Sequence, residues 1–176
     1  MSRPARWSLP TRVLHWSVAA LVVVQLTTGR LSEAVEDRTT SAELIRVHYQ
    51  FGMGLAALVV ARLITRLTTP APAALPGEPV WRSRAAAGVH LGLYALLVIL
   101  PISGFVVWDY FDADMSVFGL VVAPDLVSPT EDERLRAFTW RLHAAAGWAL
   151  TGLVLLHLGA AGWHWLRRDG LHERML

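Results

Sequence analysis

Long apolar runs alternate along the chain with short charged ones. Four apolar blocks, Thr11–Thr28, Leu44–Leu67, Ala85–Trp108 and Phe138–Trp165, each come close to the ~20 residues an α-helix needs to cross a ~30 Å hydrocarbon layer. A soluble domain of this length would interleave polar faces with its apolar ones. Four unbroken blocks in 176 residues leave too little polar sequence to coat a surface in water. The pattern predicts an all-α fold: one integral membrane four-helix bundle, with residues 1–176 forming a single domain.

Composition agrees and narrows the chemistry. The chain is 54% hydrophobic and 17% charged, against about a quarter charged in ordinary soluble domains. Cysteine is absent, which excludes disulfides, iron–sulfur clusters, thiolate-bound zinc and covalently attached c-type haem. Any cofactor must hang on His, Met, carboxylate or backbone. Arg3, Arg6 and Arg12 precede the first apolar block as in a signal peptide, but no small-residue cleavage site follows before Glu33, so the block is read as a retained helix.

The charges predict a topology, because Arg in short loops is retained on the cytoplasmic side. Arg3, Arg6 and Arg12 flank the first block, Arg62, Arg66, Arg82 and Arg84 the second connection, and Arg167, Arg168 and Arg174 the C-terminal tail. The first connection instead carries Glu33, Glu36 and Asp37, and the third Asp109, Asp112, Asp114, Asp125, Glu131, Asp132 and Glu133. Both termini are therefore expected inside. The second connection holds Pro70, Pro72, Pro76 and Pro79, as an extended linker would. Trp7, Trp81, Trp108, Trp140, Trp163 and Trp165 fall near block ends, the depth of an interfacial aromatic belt.

Histidine inside a bilayer is costly and marks a candidate site. His15 and His90 lie near the inner ends of blocks one and three, His48 near the outer end of block two, and block four carries His143, His157 and His164. Fourteen residues separate His143 from His157, close to four helical turns and a rise of ~21 Å, so both imidazoles share one face at opposite depths. Depth pairs His15 with His157 and His48 with His143. Two bis-histidine sites suit two haem b groups, each with an imidazole on either side of the iron. Zinc would want three or four ligands at one depth.

Other residues near these levels admit two readings each. Gly52 and Gly147, one turn after His48 and His143, give clearance for a flat macrocycle or simply let helices pack closely. Arg46 and Arg141, two residues before the same histidines, are candidates for haem propionate contacts or interfacial anchors. His90 has no unused partner at its level and is read as a structural hydrogen-bonding residue. His164, with Trp163, is a candidate quinone site that exchanges a proton at the inner interface, or else an anchor there. His172 lies in the tail and is read as solvated.

These residues resemble the bacterial cytochrome b-561 family, related to the di-haem b subunits that anchor hydrogenases and formate dehydrogenases. The similarity runs nearly the whole chain, through R-V-L-H-W at Arg12–Trp16, H-Y-Q-F-G at His48–Gly52, R-L-I-T-R at Arg62–Arg66, L-P-I-S-G at Leu100–Gly104 and the pattern of His143, His157 and His164. The resemblance implies axial ligands at His15, His48, His143 and His157, none from the third helix, and quinone as inner electron partner. For short stand-alone members it suggests superoxide oxidation at the outer face with transfer to ubiquinone. Acidic outer loops would repel an anionic donor unless Arg38, Arg46, Arg134, Arg136 and Arg141 focus a local positive funnel.

The expected function is transmembrane electron transfer in an inner membrane, from superoxide or a redox protein outside to quinone inside. Two alternatives stay open: the cytochrome b anchor of a larger dehydrogenase or hydrogenase, and a His-lined metal or proton transporter without haem. No nucleotide-binding or hydrolase motif is present. The net charge of +2 comes from membrane-flanking Arg rather than a basic stripe, so no nucleic-acid partner is expected. Lipid is the expected surrounding, and a homo-oligomer is compatible with the chain.

Overall fold

A computed structural model describes residues 6–73, 79–109, 116–121 and 132–176 of the chain. Outside it lie several residues used in the topology argument, among them Arg3, Pro76, Asp112, Asp114, Asp125 and Glu131, and also the side chain of His172. Four helices dominate: α1 (Leu9–Ala34), α2 (Arg38–Thr68), α3 (Val80–Asp109) and α4 (Glu133–Arg167). Each is long and apolar enough to cross a membrane. All four extend beyond the apolar blocks at one or both ends. Hydropathy measures only the lipid-facing length, whereas backbone hydrogen bonding continues into the interface until a cap ends it.

Those caps are visible. The Ser8 hydroxyl accepts from the Thr11 amide at the start of α1. Asp37 accepts from both the amide and the hydroxyl of Thr40 at 2.7 Å to start α2. Asp132 accepts from the amides of Arg134 and Leu135 to start α4. α4 ends at Arg168, whose left-handed backbone (φ 53°) turns the chain. A short 3-10 helix, His172–Met175, then folds back. There the Arg174 and Met175 carbonyls accept from the Trp7 amide and the Trp16 indole N–H at 3.1 and 2.9 Å. The start of α1 and the end of α4 therefore share one end of the bundle, the end that the charge argument assigns to the inside.

α1 packs along α2 and α3 along α4, two helical hairpins with a thinner contact between them. Gly92 permits the close α3–α4 approach: a Cβ there would stand 2.8 Å from Leu153 Cδ1. A plug of Val18, Val22, Leu55, Val59, Leu97 and Leu150 joins all four helices. Leu150 lies seven residues from both His143 and His157, so the plug fills the middle of the bundle and separates the two histidine levels. Outside it, apolar side chains such as Val60, Ile64, Leu91 and Leu155 are more than half exposed, as a lipid-facing surface requires. Pro101 sits inside α3 and removes one backbone donor there. Among the described residues the remaining regular structure is a hairpin of two-residue strands, Ser116–Val117 with Leu120–Val121, turned through Phe118 and Gly119 at positive φ. Phe118 stacks edge-on against Phe51 of α2, ring centres 5.7 Å apart.

Candidate functional site

The four histidines come together in two pairs across the seam between the hairpins. His48 of α2 faces His143 of α4 with ring centres 6.2 Å apart, and His15 of α1 faces His157 of α4 at 6.3 Å. One metal ion between two imidazoles needs two bonds of ~2 Å, and each ring centre lies ~1 Å behind its nitrogen, for a total of ~6 Å. Both spacings fit a single axially ligated ion.

At the outer level each ring is held from behind. His48 Nδ1 lies 3.1 Å from the Gln25 carbonyl oxygen and 3.4 Å from the Thr28 hydroxyl. Gln25 in turn donates its amide to the His48 carbonyl at 2.8 Å, locking α1 to α2 at this level. His143 Nδ1 lies 2.9 Å from Ser103 Oγ, and that hydroxyl donates to the Leu100 carbonyl at 3.1 Å, so it accepts from the ring. These contacts put the proton on Nδ1 and leave Nε2 as the nitrogen with a lone pair to offer a metal.

Gly52 and Gly147 face side chains of α1 rather than the histidine rings. A Cβ on Gly52 would meet the Gln25 side chain at 3.4 Å, and one on Gly147 would meet Arg30 Nη2 at 3.6 Å. Gly29 and Gly104 do lie against those rings: a Cβ added at either would stand 3.1 Å from His48 Cε1 or His143 Cε1 respectively. Proximity in sequence misleads here, because the crowding comes from the neighbouring helix and not from the next turn of the same one.

The inner level is built differently. Arg62 of α2 places Nη2 3.1 Å from His15 Nδ1 and Nη1 3.3 Å from the Thr11 carbonyl. His90 lies at this level too, its ring centre 5.4 Å from that of His157, edge to face, and His157 is the ring already paired with His15. Three imidazoles and a guanidinium thus cluster at this level.

The remaining candidates lie at the ends. Arg46 pairs with Glu43 at 2.7 Å on its own helix, and Arg141 donates to the Ala137 carbonyl one turn back. Neither contact turns toward a histidine pair. Among the described residues three buried side-chain donors lack partners: Arg174 Nε in the C-terminal turn, Arg12 Nε three residues before His15, and Trp108 Nε1 at the opposite end, where its ring stacks 4.1 Å from Tyr49 beside His48. Buried donors without partners are costly and suit an anionic or carbonyl group not of the chain. His164 Nδ1 is 2.5 Å from Asp169 Oδ2, and the Trp163 ring is flanked by Arg82 at 4.9 Å and Arg167 at 4.4 Å. A cleft beside them is lined by Trp165, Leu166, Arg168 and Glu173.

Four membrane-crossing helices with facing imidazoles at two depths define a class: membrane bundles whose histidine pairs could each hold a metal cofactor. The chain belongs to the prokaryotic cytochrome b561 family, whose model matches residues 6–176. It is 28% identical over 175 residues to Cytochrome b561 homolog 1 of Escherichia coli (strain K12), covering 97% of each chain. It is 30% identical over 180 residues to Cytochrome b561 homolog 2 of the same strain, covering 98% of this chain and 92% of the relative. Over 110 residues it is 26% identical to the Probable superoxide oxidase CybB of Yersinia pestis, covering 62% of this chain and 61% of the relative. Family membership makes it a multi-pass membrane protein of electron transport that binds haem b.

Proposed function

We propose that residues 1–176 act as one di-haem domain that carries electrons across the membrane from superoxide at the outer face to ubiquinone at the inner face. His48 and His143 hold the outer haem b, His15 and His157 the inner one, and both termini are cytoplasmic. The observation that carries this reading is the pair of imidazole spacings, 6.2 and 6.3 Å, at two depths of one bundle. Haem b supplies a one-electron iron couple at each level.

The chain's own residues do the rest. Gln25 and Ser103 orient the outer ligands, and Gly29 and Gly104 keep the wall against them thin. The central apolar plug excludes water between the levels. Arg12 and Trp108 are better placed than Arg46 and Arg141 to meet a propionate, because their donors are buried and unpaired. Two superoxide anions release two electrons and two molecules of dioxygen, and a quinone consumes those electrons with two protons. The hydrogen-bonded His164–Asp169 pair beside the cleft at the end of α4 is suited to passing such protons at the inner face. A relative named as a probable superoxide oxidase supports superoxide as the donor.

The test is a reduced-minus-oxidised optical spectrum, with haem counted per chain, on the wild type and on His48→Ala and His157→Ala. Two haems in the wild type, a different one lost in each variant, and superoxide-driven ubiquinone reduction by the wild type are expected. A folded protein without haem would return the histidines to metal or proton transport. Haem without superoxide activity, in a protein that copurifies with a catalytic subunit, would make the chain a dehydrogenase anchor.

A further inference from the structure

Arg62 stands fourteen residues after His48 on α2, the same four-turn step that separates His143 from His157 on α4. α2 therefore presents a histidine to the outer level and, on the same face, a guanidinium to the inner one. Guanidinium is permanently charged and only donates, and with Nε2 on a metal the His15 Nδ1 would carry its own proton, so at 3.1 Å Arg62 acts on His15 as a fixed positive charge and not as a hydrogen-bond partner. At the outer level the partners have the opposite polarity: His48 and His143 Nδ1 meet the oxygens of Gln25 and Ser103. Arg62 has no carboxylate partner among the described residues. Toward the other end of the bundle, Arg30 has Glu33 at 3.4 Å to offset it and lies over the Trp148 ring at 3.7 Å.

Resting on the di-haem reading above, we propose that Arg62 is a positioning residue that raises the reduction potential of the inner histidine-bound site above that of the outer one, giving the electron a downhill path inward. The ferric state carries one more positive charge than the ferrous state. A fixed cation behind His15 disfavours the ferric state, and in a poorly polarisable interior that repulsion is weakly screened. Oxygen acceptors behind His48 and His143 make those imidazoles better electron donors and favour the ferric state outside. Inward electron movement works against an inside-negative membrane potential, and a more oxidising inner site offsets that opposition.

The test is an optically followed redox titration of the purified two-haem protein, with the inner component assigned as the one that survives in His48→Ala. In the wild type the inner component should titrate above the outer. Arg62→Gln, which keeps an amide to meet His15 but no charge, should lower the inner component at least tenfold in its reduction equilibrium, or 59 mV for one electron. It should leave the outer component in place, and Arg62→Lys should restore most of the difference. An inner component that Arg62→Gln leaves unmoved at full haem content, or an inner potential below the outer in the wild type, would overturn the proposal. If Arg62→Gln loses the inner haem, the order of the two wild-type potentials decides: inner above outer upholds the proposal, and inner below outer overturns it. A wild type without haem would instead remove the di-haem reading itself.

Discussion

Behind His48 and His143 stand a main-chain carbonyl and a serine hydroxyl, while behind His15 stands a guanidinium and beside His157 a third imidazole. The ring spacings of the two pairs differ by only 0.1 Å (6.3 − 6.2). Equal spacing with unequal backing separates two roles that a ligand list merges. The facing imidazoles decide what is held, and the groups behind them decide how readily it gives up an electron. On the proposed function, the level of His48 and His143 would be the tightly built donor side and that of His15 and His157 the charged acceptor side.

The largest expected effect comes from breaking the outer wall alone. In Gly104→Leu the new side chain must enter space where even a Cβ would come 3.1 Å from His143 Cε1. α3 is pressed close to α4, so the ring rather than the backbone has to yield. Haem content should fall from two to one per chain, and the remaining absorbance should be that of the inner component. Equal loss from both levels would show that the levels are not independently built.

A smaller effect is expected from the layer the two levels share. Leu150 is 3% exposed and sits between them. Leu150→Ala should cost ~2 kcal/mol, the lower end for such truncations, because lipid rather than water is the alternative solvent and packing supplies most of the loss. Thermal denaturation in detergent should show a lower midpoint with both haems released together. Release of one haem well before the other would mean the plug belongs mainly to one level.

Ser103→Ala sharpens the contrast in polarity. Removing the hydroxyl leaves His143 Nδ1 without its acceptor and weakens the ring as an electron donor. The outer component should rise by about fivefold in its reduction equilibrium, the worth of a ~1 kcal/mol hydrogen bond. The inner component should not move. A redox titration reads both at once.

Much of this architecture is legible in the sequence. Four spans follow from hydropathy because lipid imposes one length on every crossing helix. The facing of His15 with His157, and of His48 with His143, follows from depth because the helical rise converts residue number into position along the bundle. What stays hidden depends on rotation about the helix axes and on contacts between helices. Gly29 and Gly104 are distant in sequence from the histidines they lie against, and Gln25 and Ser103 look like ordinary polar residues in apolar blocks. Arg62 does carry a signal, since its four-turn offset from His48 repeats the spacing seen on α4. Its place near a span end masks that signal, because most arginines there are membrane-flanking charges. Depth places His90 at the inner level, but that it touches His157, the ring already paired with His15, depends on helix rotation.

The two ends also differ in how their helices are started, and this supplies the smallest effect. α1 begins at the inner end on Ser8, which has no charge to lose, whereas α2 begins at the outer end on Asp37. Hydrogen bonds from the Thr40 hydroxyl and amide hold the Asp37 carboxyl below its ordinary acidity range. A carboxyl that is a stronger acid in the folded state stabilises it fully above the unfolded-state value, and that contribution drains away as pH falls through the depressed folded value. Asp37→Asn keeps a capping oxygen but cannot titrate. In the wild type, acidification through that window should loosen the outer start of α2, seen as faster amide exchange at Thr39–Ser41, while the Ser8 start of α1 is unaffected. In Asp37→Asn the acid dependence at α2 should vanish. Its persistence would shift the acid sensitivity to another outer carboxylate. Because the site is fully exposed and salt-screened, the change should be visible only locally and should leave both redox components where they were.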